Sequence, residues 1–290
     1  MPKIFVKLYD AFYICRMIKF CRLLILVLFV AACQEETPPP VEPKESTETT
    51  ARVPLIPYTV KAYHAHDVLS FTEGLTYYQD KLYESTGSPQ DMPELKSVLG
   101  ELDLKSGKIT VRAELDRNKY FGEGIAFFQN KVYQLTYQTQ TGFIYDASSF
   151  RQIKTFKYQN AEGWGMTTDS VNLIMSDGSS NLTYWNPENL QVVKTLAVTE
   201  NGSLLSRLNE LEFIRGYIYA NVWTTHEVVK IDPATGKVVA KFDFNSLDAE
   251  VHTKYPQALE MNGLAYNPST NRLMVTGKLW PTVYEIEAGF

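Results

Sequence analysis

"EGLTYYQDKLYESTG" (residues 73–87) and "EGIAFFQNKVYQLTY" (residues 123–137) are two copies of one phrase, about 50 residues apart. In each, an alternating run rich in Tyr, Phe, Leu and Ile breaks at a polar turn, Gln79-Asp80 or Gln129-Asn130, and then resumes. That is the signature of two antiparallel strands joined by a tight turn. Three further copies follow: "WGMTTDSVNLIMSDG" (164–178), "NELEFIRGYIYANVW" (209–223) and, with two extra turn residues, "NGLAYNPSTNRLMVTGK" (262–278). Several continue into a third and a fourth strand, as in "EVVKIDPATGKVVAKFDF" (227–244).

A repeat of about 40 to 50 residues holding up to four strands is a propeller blade, so five copies predict an all-β, five-bladed β-propeller. The fifth copy stops after "TVYEIEA" (282–288), one strand short, while "YTVKAYHAH" (58–66) is an unassigned strand ahead of the first. The two ends therefore meet, and the last blade is closed by the N-terminal strand.

The first strand of a blade lines the propeller axis, so equivalent repeat positions form rings. One ring holds Glu73, Glu123, Trp164, Asn209 and Asn262; the ends of the second strands supply Gly87, Tyr137, Gly178, Trp223 and Lys278. Packing alone would favour Val or Ile there. An acid, a cation and aromatic walls converging on one place predict a small-molecule pocket, although polar residues around a wet axis can also bind water alone.

Ahead of the repeats, Lys3, Lys7, Arg16, Lys19 and Arg22 precede the apolar run Leu23 to Val30, which is too short to span a bilayer and ends in small residues. Residues 1–32 therefore read as a signal peptide, with Met17 an alternative start. Val30-Ala31-Ala32-Cys33 resembles a bacterial lipobox, which would make Cys33 a lipidated, membrane-anchoring residue; the same letters can close an ordinary signal peptide. Residues 33–57, centred on "ETPPPVEPKESTETT", cannot bury enough apolar surface to offset their ordering entropy and read as a tether. Residues 58–290 are assigned to the propeller domain. The expected location is the bacterial cell envelope, exported and lipid-anchored.

Composition narrows the chemistry. Cys15, Cys21 and Cys33 all lie in the N-terminal segment, which leaves the propeller without disulfide, thiol nucleophile or cysteine metal site. Residues 1–32 carry five basic residues and one acidic one, so without them the charge moves from −5 to about −9, unsuited to nucleic acid. His64 and His66 would share a strand face, but read as polar residues of an edge strand before they read as metal ligands. "SDGSS" (176–180) lacks EF-hand ligand spacing, and Trp280 before Pro281 reads as structural.

Taken in order, "FTEGL" (71–75), "YFGEGIAFF" (120–128), "TGFIYD" (141–146), "EGWGMTTD" (162–169), "SDGSSNLTYWNP" (176–187), "LNELEFIRGYIYANVW" (208–223) and "MNGLAYNPSTNRLMVTGKLWP" (261–281) resemble the successive motifs of the plant-type glutaminyl-peptide cyclotransferases, the glutamine cyclotransferase family, which also occurs in bacteria. The resemblance runs from Phe71 to Glu287 and implies a five-bladed propeller; with four histidines in the chain and no cysteine in the domain no zinc ligand set is visible, and a monomer without cofactor is expected. The implied enzyme converts N-terminal glutaminyl residues of peptides or proteins to pyroglutamate with release of ammonia. Its motifs assign Glu123 as the proton-carrying acid and base, and mark Phe71 and Phe121 as pocket residues. The chemistry then suggests Lys278 and Asn209 as donors to the carbonyl oxygen, Trp164 and Trp223 as a sandwich around the glutaminyl side chain, and Gly122 and Gly124 as room for the substrate's approach. Two positions depart from the plant pattern. Glu73 stands where glutamine is usual, bringing a second carboxylate that could raise the pKa of one of the pair or help bind the substrate amine, and Tyr137 stands where tryptophan is usual. A propeller that binds peptide N-termini without turnover, and a metal-dependent propeller lactonase or lyase, are the competing readings.

Overall fold

Why five short hairpin repeats make one closed body is visible in the burial of their strands. The first two strands of each blade are buried almost throughout, while an outer strand such as Val192–Ala197 is largely exposed. A strand buried on both faces needs a neighbouring sheet on each side, and a ring of blades supplies one. The computed structural model, which describes residues 52–290, contains five four-stranded antiparallel sheets. Their innermost strands are Thr72–Tyr78, Gly122–Phe128, Met166–Thr168, Leu208–Ile214 and Met261–Asn267, one from each sequence repeat. The propeller and its blade assignment are as the repeats predict. The expected signal peptide, Cys33 and most of the expected tether lie outside the described residues.

Strand Tyr58–Ala65 pairs antiparallel with Thr282–Ala288 and completes the fifth blade from outside, in the register Tyr63 to Tyr284. Immediately after it His66 is buried, its Nδ1 2.7 Å from the Trp280 carbonyl and its Nε2 3.2 Å from both oxygens of Glu84. Both ring nitrogens thus face acceptors. Burial by itself would depress the imidazole, but Glu84 and the carbonyl outweigh it and raise its pKa above 6.5. A buried, hydrogen-bonded latch therefore joins the closing strand to the second strand of the first blade. The pair of histidines does not form one site, since His64 bonds Glu285 instead, at 2.9 Å.

One boundary and one element differ from expectation. The last residues of the stretch read as a tether belong to the fold: Ile56 is buried in the hydrophobic core, and residues 54–56 exchange backbone hydrogen bonds with Lys241 on the outer strand of the fourth blade. One helix, Asn245–Lys254, interrupts the strands between the fourth and fifth blades. It buries only Leu247 and Val251, four residues apart, too narrow an apolar stripe to stand out in the sequence.

The hairpins obey local rules. Gln79-Asp80 and Arg215-Gly216 carry positive φ at both central positions, the two-residue turn that matches strand twist. Between blades the innermost strands approach to backbone contact. A Cβ added at Gly124 would lie 2.5 Å from Met166 N, and one at Gly165 2.2 Å from the Asn209 carbonyl. Gly74, Gly124, Gly165 and Gly263 each follow a ring residue; in the fourth blade Glu210 stands there instead. Its carboxylate crosses the axis and accepts the Leu75 N–H of the first blade at 3.2 Å and the Leu264 N–H of the fifth at 3.0 Å. Beside it, Glu212 accepts the Tyr266 N–H at 2.8 Å.

Candidate active site

Four of the five innermost strands contain a β-bulge at the ring residue: between Thr72 and Gly74, Gly122 and Ile125, Leu208 and Leu211, and Met261 and Leu264. A bulge takes one residue out of the ladder and re-aims its side chain. Glu73, Glu123, Asn209 and Asn262 sit in these bulges. Backbone pairs then tie the approach to each first strand to the end of the second: Phe71 with Gly87, Phe121 with Tyr137, Arg207 with Trp223, and Glu260 with Lys278.

The outcome is one pocket of about 310 Å³ lined by Phe71, Glu73, Phe121, Glu123, Tyr137, Trp164, Asn209, Trp223 and Lys278, together with Pro89. All nine residues given a catalytic or substrate-binding part in the sequence converge there, while the ring positions Asn262, Gly87 and Gly178 do not line it. The polar groups form its floor, with Glu73, Glu123, Asn209 and Lys278 all buried, and the aromatic side chains form a half-buried collar above them. Going round the collar, Phe71 meets Phe121 edge-on with centroids 5.9 Å apart, Phe121 meets Tyr137 at 5.8 Å, and Trp164 meets Trp223 at 5.5 Å.

On the floor, Lys278 Nζ is 2.8 Å from Glu73 Oε1 and 4.6 Å above the Phe71 ring. Asn262 Nδ2 donates to Glu73 Oε2 at 3.1 Å and to the Thr72 carbonyl at 3.0 Å. Glu73 is thereby committed on both oxygens. Glu123 is different: its backbone carbonyl accepts the Ser85 hydroxyl at 2.6 Å, but its carboxyl has no hydrogen-bond partner among the described residues. Burial raises the Glu123 pKa well above the carboxylate range, and the charge of Glu73 adds to this; Lys278 opposes it without prevailing. Burial raises Glu73 as well, against the pull of its lysine. The lysine is lowered by burial but raised overall by the two carboxylates. The two buried acids share one ammonium, which contacts Glu73, so Glu123 is the acid left without a cation in contact and burial acts on it most fully. The Asn209 side chain also makes no hydrogen bond among the described residues, and its Oδ1 is sealed from solvent.

Three expectations about these residues are corrected. The Trp164 and Trp223 rings stand at 79° in mutual contact, which leaves no slot for a side chain between them; they make a corner rather than a sandwich. The glycines flanking Glu123 do not face substrate. A Cβ at Gly122 would strike the Thr86 carbonyl at 2.7 Å and one at Gly124 the Trp164 carbonyl at 2.5 Å, so both admit a neighbouring backbone. Gly87 and Gly178 likewise leave room for the rings of Phe121 and Trp164. Glu73, held by Lys278 and Asn262, is not a free anion awaiting an amine.

Sequence reasoning missed two contributors. Pro89 lies on the loop between the second and third strands of the first blade, outside the repeat alignment. Glu162 accepts the Trp164 indole N–H at 2.9 Å and the Gln138 amide at 2.9 Å, and so fixes the indole plane. Its signal was present in "EGWG", an acid two residues before a ring tryptophan.

A family model described as glutamine cyclotransferase matches residues 26–288. The chain belongs to the glutamine cyclotransferase family. It is therefore a cyclotransferase enzyme, as the motif resemblance implied. Over 230 residues it is 36% identical to a glutaminyl-peptide cyclotransferase of Arabidopsis thaliana, a match covering 79% of this chain and 70% of that one. The crystal structure of the glutaminyl cyclase of Myxococcus xanthus superposes with a TM-score of 0.74 at 32% identity, over 81% of this chain and 98% of that one.

Proposed function

We propose that this cyclotransferase acts on peptides or proteins with an N-terminal glutamine, closing the residue to pyroglutamate, with Glu123 carrying the proton. The observation that carries the reading is an unpartnered, buried carboxyl on the floor of an aromatic pocket, next to an ion pair that neutralises itself. The substrate's α-amine attacks its own γ-carbonyl carbon; the new C–N bond pushes electrons onto the oxygen, and the amine must lose a proton. Glu123 in its carboxylate form takes that proton and passes it to the γ-nitrogen. The C–N bond to the former amide nitrogen then breaks, and ammonia leaves.

Because nucleophile and electrophile belong to one residue, positioning supplies much of the barrier reduction. A carboxyl whose pKa is raised towards the working pH exchanges protons in both directions, as such a shuttle requires. The ammonium of Lys278 has three donors and spends one on Glu73, leaving others for the developing oxyanion. The unengaged amide of Asn209 is the second donor. The corner of Trp164 and Trp223, with Tyr137 and the two phenylalanines, holds the folded-over aliphatic part of the glutamine and excludes water.

The deciding measurement is ammonia release from a Gln-initiated peptide, with Glu123→Gln as control. Release that depends on Glu123 supports the reading. Peptide binding with unchanged ligand mass and no ammonia would instead indicate a binding module. We further propose that the protein is exported and held at a bacterial envelope membrane by lipid on Cys33. Cys33→Ser should move it to the soluble fraction, and continued membrane association would refute the anchor.

A further inference from the structure

The pocket continues into a second depression. Pro89, Phe121 and Tyr137 line the pocket on one side and also line an adjoining groove of about 450 Å³, walled on its far side by the turn Arg117 to Lys119. By contrast, the depression of about 320 Å³ beside Thr224 and helix Asn245–Lys254 shares no lining residue with the pocket. If a glutaminyl residue occupies the pocket, its α-amine and γ-carboxamide must both be inside. The α-carbonyl, and the chain attached to it, must leave across the collar, and the shared wall of Pro89, Phe121 and Tyr137 is a continuous way out.

The groove is preformed. Arg117 donates to the backbone carbonyls of Pro89 at 3.0 Å and Leu95 at 3.2 Å, and also to that of Pro93, which staples the loop carrying Pro89. Carbonyl acceptors fix the guanidinium without cancelling its charge, and Arg117 forms no ion pair with a carboxylate among the described residues. Lys119 adds a second cation, with Asp116 3.4 Å away in an exposed pair that solvent screens. No carboxylate lines this groove, although the chain as a whole is acidic.

We propose that this groove is the subsite for the residues following the N-terminal glutamine, and that it selects peptides with an acidic side chain there. The inference rests on the cyclisation reading above for its choice of ligand. It is tested on the full chain with two tetrapeptide amides, Gln-Glu-Ala-Ala and Gln-Lys-Ala-Ala, and with glutaminamide. Binding to the Glu123→Gln variant is read from tryptophan fluorescence, and turnover by the unaltered protein from ammonia. The acidic peptide should bind up to about fivefold more tightly, the usual size of an exposed ion pair, and the advantage should shrink as salt is added. Lys119→Glu should reduce or invert the preference. Asn118→Trp, which fills the groove from an exposed turn, should weaken both tetrapeptides while leaving glutaminamide turnover unchanged. Equal binding of the two tetrapeptides, or indifference to Asn118→Trp, would overturn the subsite even if ammonia is released. Charge-selective binding with no ammonia from any substrate would instead sink the cyclisation reading and leave the subsite standing.

Discussion

The role proposed for Glu123 carries a cost in stability. A carboxyl whose folded pKa lies above 4.5 keeps its proton in the native state where the unfolded chain has already released it, so it disfavours folding increasingly as pH rises. Glu123→Gln removes the titration while keeping the shape. It should lower ammonia release by about 10²- to 10⁴-fold, yet leave the melting temperature at pH 8 no lower than that of the unaltered protein. Assay and thermal melt on one sample check both, and loss of stability at pH 8 would contradict the protonated assignment. Asn209→Ala removes the donor proposed for the oxyanion and should lower kcat by about 10²- to 10³-fold, with a smaller change in KM. Glu162→Ala frees the Trp164 indole and should act mainly on KM, which separates it from the residues that handle charge.

At the scale of the strand, the site depends on bulges and on glycines that receive a neighbouring backbone. Gly124→Ala would set a methyl against the Trp164 carbonyl and Met166 N, and would strain the 2.7 Å bond from Gly124 N–H to the Trp164 carbonyl. The substitution should cost about 1 to 3 kcal/mol and reduce activity as well, because it displaces Glu123 and Trp164 together. Denaturant unfolding with kinetics on the same variant tests the coupling. Hairpin alternation and turn letters made the strands legible in the sequence. The bulges were not: an alternating pattern with one extra residue looks the same as one without, and only the hydrogen-bond ladder reveals the slip.

For the whole molecule, closure is the weak point of a ring, and here it rests on the strand from Tyr58 and on the buried His66 latch. The imidazolium contributes stability that is fully present below pH 6.5, the unfolded value, and lost as pH rises through the higher folded value. Glu212 acts in the same direction. Burial raises its pKa to about 8, so between pH 4.5 and about 8 the native state retains a proton that the unfolded chain gives up. The melting temperature should therefore fall continuously from about pH 5 to pH 8, and His66→Gln, which removes the imidazolium's part, should flatten the decline above pH 6.5. A melting temperature that rises over this range would refute the assignment. His66→Ala leaves Glu84 buried without its cation and should cost about 3 to 5 kcal/mol.

Repeat spacing alone determined the number of blades, the closing strand and the ring positions, because a propeller superposes equivalent residues whatever else the chain does. Nine pocket residues followed from that superposition and from the family motifs. The tertiary structure decided what those residues are free to do. Glu73 and Lys278 stand more than 200 positions apart and neutralise each other; the two tryptophans meet edge to face; and the glycines face backbone instead of substrate. Each of these depends on distances and angles between blades, which a one-dimensional pattern of residue types does not encode. Among the described residues the carboxyl of Glu123, like the side chain of Asn209, is left without a hydrogen-bond partner; Lys278 and Asn262 contact Glu73 instead, which only their positions in space reveal.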